Sequence, residues 1–275
     1  MKLNNILSAL SLCSLAQAQA QTAVAHDSKP AASKTTSFVT IAARATPTGL
    51  TTTLPASAGA VTSAAAIVVS AGGTYDGGMR RYERSGNVCQ GQTETGEKDA
   101  MFILEAGATL SNVIIGAGQA EGVHCRGTCT INNVWWADVC EDAITFKQSS
   151  GTSYINGGGA FKADDKIIQF NGRGTVQVKN FFASDYGKVA RSCGNCSGNG
   201  GPRNFIMDNV RAHSGGVLCG INTNYGDTCK ITNSCQSSGK YCDRYQGNSS
   251  GAEPSKIGSG PDGTYCTTSN VSTNC

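Results

Sequence analysis

The sequence predicts an all-β chain wound as a single-domain parallel β-helix. Two observations carry the prediction: a strand-like segment ending on asparagine recurs six times, and a second, apolar column keeps nearly the same period. A third agrees with them, since 35 glycines and few charged residues suggest many turns and little helix.

The chain opens with MKLNNILSALSLCSLAQAQA, which has Lys2, a short apolar core and small residues at Ala18 and Ala20. Residues 1–20 therefore read as a secretory signal peptide. That core is too short to span a bilayer, and no later run reaches the roughly twenty apolar residues a span requires. The expectation is a secreted, extracellular protein with no membrane segment. A net charge of +3 is too weak to argue for a nucleic-acid surface. Residues 21–52 are rich in Thr, Ala and Ser and cannot bury enough apolar surface to order themselves, so they read as a linker of the kind that carries O-glycans. The folded domain is expected over 53–275, acting as a monomer.

Of 13 cysteines, Cys13 leaves with the leader, and an even twelve remain for an oxidising compartment. Cys125/Cys129 and Cys193/Cys196 are closely spaced. Zinc is the competing reading of CGNC, but no second CxxC or suitably spaced His pair completes four ligands. Disulfides are expected. Sequons at Asn195, Asn248 and Asn270 agree with secretion.

ATLSNV, CTINNV, TSYING, VQVKNF, FIMDNV and KITNS align on Asn112, Asn133, Asn156, Asn180, Asn209 and Asn233, spaced 21, 23, 24, 29 and 24 residues apart. Two positions before each Asn stands Leu110, Ile131, Tyr154, Val178, Met207 or Ile231, as an inward strand position requires. In a second column, EGVHC, DAITF, DKIIQF, GKVAR and GVLCG supply Val123, Ile144, Ile167, Val189 and Leu218. The long interval holds CGNCSGNGGPR, which fits a loop. Leucine-rich repeats share the period but not the pattern. Stacked coils about 4.8 Å apart, with asparagines hydrogen-bonded along the axis, satisfy both columns.

Residues in one column become neighbours in space. The column before the second strand reads Asp99, Glu121, Asp142 and Asp165, with Glu141 and Asp138 enriching the patch. A single Asp at a strand start is usually a turn satisfied by backbone amides. Four in register repel one another unless a hard cation takes oxygens from several, and calcium is the natural candidate outside the cell. The next column reads Gly122, Ala143, Lys166 and Lys188, with Arg191 three residues on. Two lysines alone are usually a solvated face. One strand from a cation site, they form a device for an anionic polymer. Asp164 has no partner column and reads as solvated. Trp135 and Trp136 point to opposite strand faces, while His124 and His213 lack triad partners and read as structural.

Polyuronates fit such a site. Cation and basic groups neutralise a uronate carboxylate, acidify the C5 proton and favour β-elimination across C4–C5. Crowding Lys166 against Lys188 and a cation is expected to lower its pKa and make it a base.

DGGMRRYERSGNVCQGQTETGEKDAMFILEAGATLSNVIIG, EGVHC, NVWWADVCEDA, GGGAFKADDKIIQFNG, DYGKVARSCGNC, GINTNYGD and EPSKIGSG occur in order and together resemble class III pectate lyases, polysaccharide lyase family 3. The resemblance runs from about Leu54 to the C-terminus. It implies a right-handed parallel β-helix and calcium-dependent β-elimination on polygalacturonate, the de-esterified form of pectin. It implies Glu121, Glu141 and Asp142 as calcium ligands, with Asp138 and Asp165 in support, and Lys166, Lys188 and Arg191 as the catalytic and substrate-binding group. Lys166 is expected as the base and the other two as carboxylate holders, an assignment that could be exchanged with Arg191. The chain departs from the family at WWADV, where Ala137 replaces an acid. Two rivals remain: a hydrolase of polygalacturonase type, which needs a pair of acidic groups that the adjacent Asp164 and Asp165 do not make, and a non-catalytic solenoid that binds polyuronate.

Overall fold

The computed structural model describes residues 49–275; the leader 1–20 and nearly all of the linker 21–52 lie outside the described residues. The asparagine-ended segments become stacked strands, among them Ala108–Ile115, Cys129–Trp136, Gly174–Lys179, Arg203–Asp208 and Thr228–Thr232. Leu110 pairs with Ile131, Ile131 with Ile155, Ile155 with Val178, Val178 with Met207, and Met207 with Ile231. Each of these side chains is buried, so one residue per coil fills the same level of the core.

Beyond this face the chain turns a corner and continues along a second, where Trp135, Gly159, Phe182, Arg211 and Cys235 stand in register. A third face carries Ala100–Leu104, Glu121–Cys125 and Asp142–Phe146, then the later parts of Thr152–Phe170, Phe182–Ser192 and Arg211–Asn222. The strand pairings are parallel except for one hairpin, Cys242–Gln246 with Ser255–Ser259. Three parallel faces around one apolar core make the expected β-helix. No helix among the described residues is long and apolar enough to cross a membrane.

The corner between the first two faces explains the asparagines. Asn112, Asn133, Asn180, Asn209, Asn233 and Asn270 all have φ between 51° and 56°, a left-handed conformation that Asn tolerates and β-branched residues do not. Their amides bond along the axis: Asn133 to Asn112 at 2.9 Å, Asn209 to Asn180 at 2.7 Å and Asn270 to Asn233 at 2.8 Å. The expected rung at Asn156 is displaced by one. Gly157, with φ 72°, takes the corner, Ile155 points inward and Tyr154 is exposed. Gly meets the backbone requirement as well as Asn, so aligning on the letter N missed the true position.

The third face corrects a second register. Glu121 lies beside Ala100, Asp142 beside Lys166, and Lys166 beside Lys188, while Val123 opposite Ile144 sets Glu121 next to Asp142. Asp99 and Asp165 each stand one residue before this column, and Lys166 and Lys188 stack on the acids instead of starting a column of their own. The cause is a break in alternation. Met101, Ala143, Ile167, Val189 and Leu218 enter the core, and so do their successors Phe102, Ile144, Ile168, Ala190 and Cys219, with Val123 after Gly122 in the same second column. With two adjacent apolar columns, alignment by hydrophobicity slid from Ile144 to Ile167.

Trp136 belongs to the main core, whereas Trp135 is buried outside the coil with Met79 and Ile114 and stacks on Phe161. Cys193–Gly201 form the expected loop. All twelve cysteines of the described residues are paired: Cys89–Cys140, Cys125–Cys129, Cys193–Cys196, Cys219–Cys229, Cys235–Cys275 and Cys242–Cys266.

Candidate active site

The outward column of the third face reads Glu121, Asp142, Lys166, Lys188 from coil to coil, two anions followed by two cations about one strand spacing apart. A loop tied down by Cys89–Cys140 crosses the acidic end. It brings up Glu94, whose oxygen lies with those of Glu121 and Glu141 inside a 4.8 Å group that could hold a metal ion. Sequence reading did not single out Glu94. Its signal is the disulfide that lashes the loop to the coil of Glu141, and that pairing was not legible beforehand.

Glu121 is buried and held on both oxygens: the Gly96 amide donates to Oε1 at 2.9 Å and His124 Nε2 lies 2.7 Å from Oε2. Burial pushes its carboxyl up, but these hydrogen bonds outweigh it and hold it below the usual range. Glu141 and Asp142 bond to each other and face Lys166 at 3.5 Å, without backbone donors of the kind that hold Glu121. Burial lifts Glu141 to about 7 against the attraction of Lys166, and lifts Asp142 as well. Glu141 Oε2 is buried without a partner, and Asp142 Oδ1 makes no hydrogen bond and has only Lys166 Nζ at 3.5 Å. A buried carboxylate oxygen left open beside further acids is what a hard cation satisfies. The donor set fits calcium.

Asp165 sits between the lysines, with Oδ2 2.6 Å from Lys166 Nζ and Oδ1 2.5 Å from Lys188 Nζ. Burial raises its carboxyl, yet the two lysines win and hold it low. Lys166 Nζ also lies 3.5 Å from Glu141 and from Asp142. Among the protein groups alone, burial lowers the Lys166 pKa but Asp142, Asp165 and Glu141 raise it further than burial takes it down, an attraction that the depression expected beside a bound cation has to overcome.

Arg191 lies one outward column over, opposite Gln169. It is 7% exposed. Its Nη1 donates to the Ser192 and Gly220 carbonyls and to Asn222 Oδ1, and its guanidinium carbon stands 3.9 Å from the centre of the Tyr245 ring. Burial pulls its pKa down. Among the described residues Nη2 and Nε carry no hydrogen bond; Nε lies against Gly220, and Nη2 lies near Gly194, which with Glu94, Asp165, Lys166, Lys188 and Arg191 lines a cleft of about 250 Å³. The loop from Cys193 forms one wall; buried Arg203 braces it through the Cys193 carbonyl and Asn199 Oδ1. Two expected acids stay outside. Asp138 pairs with Lys162 at 3.2 Å, and Asp99 stands 3.8 Å from Lys98.

Residues 51–251 match the family model described as pectate lyase. The chain belongs to the pectate lyase family. It is thus a polysaccharide lyase. Probable pectate lyase E of Aspergillus clavatus is 53% identical over 211 residues, 76% of this chain and 81% of that protein. Pectate lyase E of Emericella nidulans is 50% identical over 224 residues, 81% of this chain and 86% of that protein. Among solved structures, the catalytic domain of pectate lyase PelI from Erwinia chrysanthemi aligns with a TM-score of 0.62 at 30% identity, covering 78% of this chain and 97% of that one. PelI in complex with tetragalacturonic acid aligns with a TM-score of 0.62 at 32% identity, covering 78% of this chain and 70% of that one.

Proposed function

We propose that the chain is a secreted, calcium-dependent pectate lyase of class III that cleaves polygalacturonate by β-elimination and works as a monomer. The observation that carries this reading is the cleft lined by Lys166, Lys188 and Arg191 beside an acidic group in which Glu141 Oε2 is buried without a partner. The complex of PelI with tetragalacturonic acid supports the substrate. Six disulfides support an oxidising compartment.

Glu94, Glu121, Glu141 and Asp142 would hold the ion. When bound, calcium draws a uronate carboxylate to the site and withdraws electron density from it, which acidifies the adjacent C5–H. Lys166 and Lys188, aimed by Asp165, hold the uronate carboxylates in the cleft. Arg191, whose burial favours release of one guanidinium proton to solvent, receives the C5 proton in its neutral form. The C5–H electron pair becomes the C4–C5 double bond, the C4–O bond breaks, and the leaving oxygen takes a proton from water. Assigning the proton to Arg191 rather than Lys166 rests on geometry. Nη1 is anchored, Nη2 carries no hydrogen bond and lies near Gly194 of the cleft wall, and Lys166 is committed to carboxylates.

Incubation with polygalacturonate, followed by both ultraviolet absorbance and reducing ends, tests the reaction. The two signals should rise together with calcium and vanish with chelator. Reducing ends without absorbance would mean hydrolysis, and neither signal would mean a binding solenoid.

A further inference from the structure

Past Lys188 the cleft opens into a second trench of about 620 Å³, bordered by Lys188, Lys240 and Lys256. Its floor has no side chains at Gly187 and Gly216, which stack so closely that a Cβ at Gly216 would meet the Gly187 carbonyl. Lys240 stands on the next coil, where its carbonyl accepts from the Leu218 amide at 3.0 Å and its amide donates to Gln236 Oε1 at 2.8 Å. Lys256 comes from the opposite wall, on the antiparallel strand Ser255–Ser259, and lies 2.8 Å from Asp243 Oδ1. Lys240 is exposed and makes no ion pair among the described residues. Its level lies three strand spacings from Lys166, through Lys188 and Val217, roughly 14 Å at one spacing per coil.

We infer that this trench is a second carboxylate-binding region, in which Lys240 and Lys256 take uronates further along the polymer chain whose bond is broken at Arg191. The inference rests on the lyase reading above. A smooth floor admits a sugar chain close to the backbone, and cations on both walls complement a ligand with one carboxylate per sugar. Lys188 lines both cavities, so the basic path is continuous from the scissile position to Lys240. The consequence is chain-length selectivity: long substrates use the trench, and the shortest cleaved oligomers do not.

The test compares kcat/KM on polygalacturonate with kcat/KM on trigalacturonate for wild type, Lys240→Ala, Lys256→Ala and the double variant. Each single loss should lower the polymer value by about twofold to fivefold, the worth of a partly solvated ion pair. The double variant should lower it by about tenfold, with trigalacturonate changed less than twofold. Lys240→Arg should retain the polymer value, and added salt should shrink the difference. Equal losses on both substrates, or no loss on either, would overturn the inference. Should wild type give no unsaturated product, the lyase reading fails instead. Binding of polygalacturonate to the same variants with calcium chelated then decides the trench: weaker binding by the double variant supports it, and unchanged binding overturns it.

Discussion

One carboxylate sets the positions of two cations: Asp165 bonds Lys166 through Oδ2 at 2.6 Å and Lys188 through Oδ1 at 2.5 Å. Lysine ends are otherwise flexible, so this bridge fixes the spacing of two ammonium groups at the mouth of the cleft. It also distinguishes two roles for the acid, aiming the lysines or ligating calcium.

Asp165→Asn should lower kcat/KM on polygalacturonate by roughly tenfold, the worth of a charge-assisted bond pair at a partly solvated site. Calcium affinity should change less than about threefold, because the acidic group that could hold the ion is Glu94, Glu121 and Glu141, and Asp165 is not part of it. Calorimetric titration of calcium into the variant reads this directly. A collapse of affinity would make Asp165 a ligand.

Calcium affinity should depend on pH through Glu141, whose carboxyl rises from 4.5 to about 7, chiefly by burial. A raised folded-state pKa means the calcium-free folded protein holds the proton more tightly than the unfolded chain. This group's contribution to stability therefore falls as pH rises from 4.5 to about 7. Calcium must displace that proton. Its affinity should climb by up to about tenfold per pH unit through the same window and level off above it. Glu141→Gln should bind more weakly and lose most of the slope. Titrations at several pH values check both.

The asparagine corner should be costly to disturb. Asn209→Ala loses the 2.7 Å bond to Asn180 and keeps a side chain at φ 55°, at a cost of about 2–3 kcal/mol. Asn209→Gly keeps the backbone conformation and loses only the rung, about 1 kcal/mol. Denaturant unfolding should rank wild type above Gly and Gly above Ala.

The coil was legible because burial of one residue per turn leaves a periodic trace, as at Leu110, Ile131, Val178, Met207 and Ile231. Register was less legible. Gly157 performs the task of an Asn, and the double apolar column hid a slip of one residue between Ile144 and Ile167. That slip split the Glu121–Asp142–Lys166–Lys188 stack into an acidic and a basic column. Arg191 was found through GKVAR, but the groups that orient it, Asn222 and Tyr245, come from one and two coils on and leave no local pattern. Glu94 was invisible for the same reason, since only the fold of its loop and the Cys89–Cys140 bond bring it to Glu121.

The central claim is that calcium held by the acidic end and a proton acceptor at Arg191 together perform the elimination. Calcium should be titrated into chelator-stripped wild type and Arg191→Lys, with calcium binding and the rate of unsaturated uronate formation read side by side. The account predicts a wild-type rate that rises from zero and saturates with calcium occupancy. It predicts that Arg191→Lys binds calcium normally and turns over about a thousandfold more slowly, as expected when a positioned base is lost. Undiminished turnover by Arg191→Lys, or by wild type held in chelator, would contradict it.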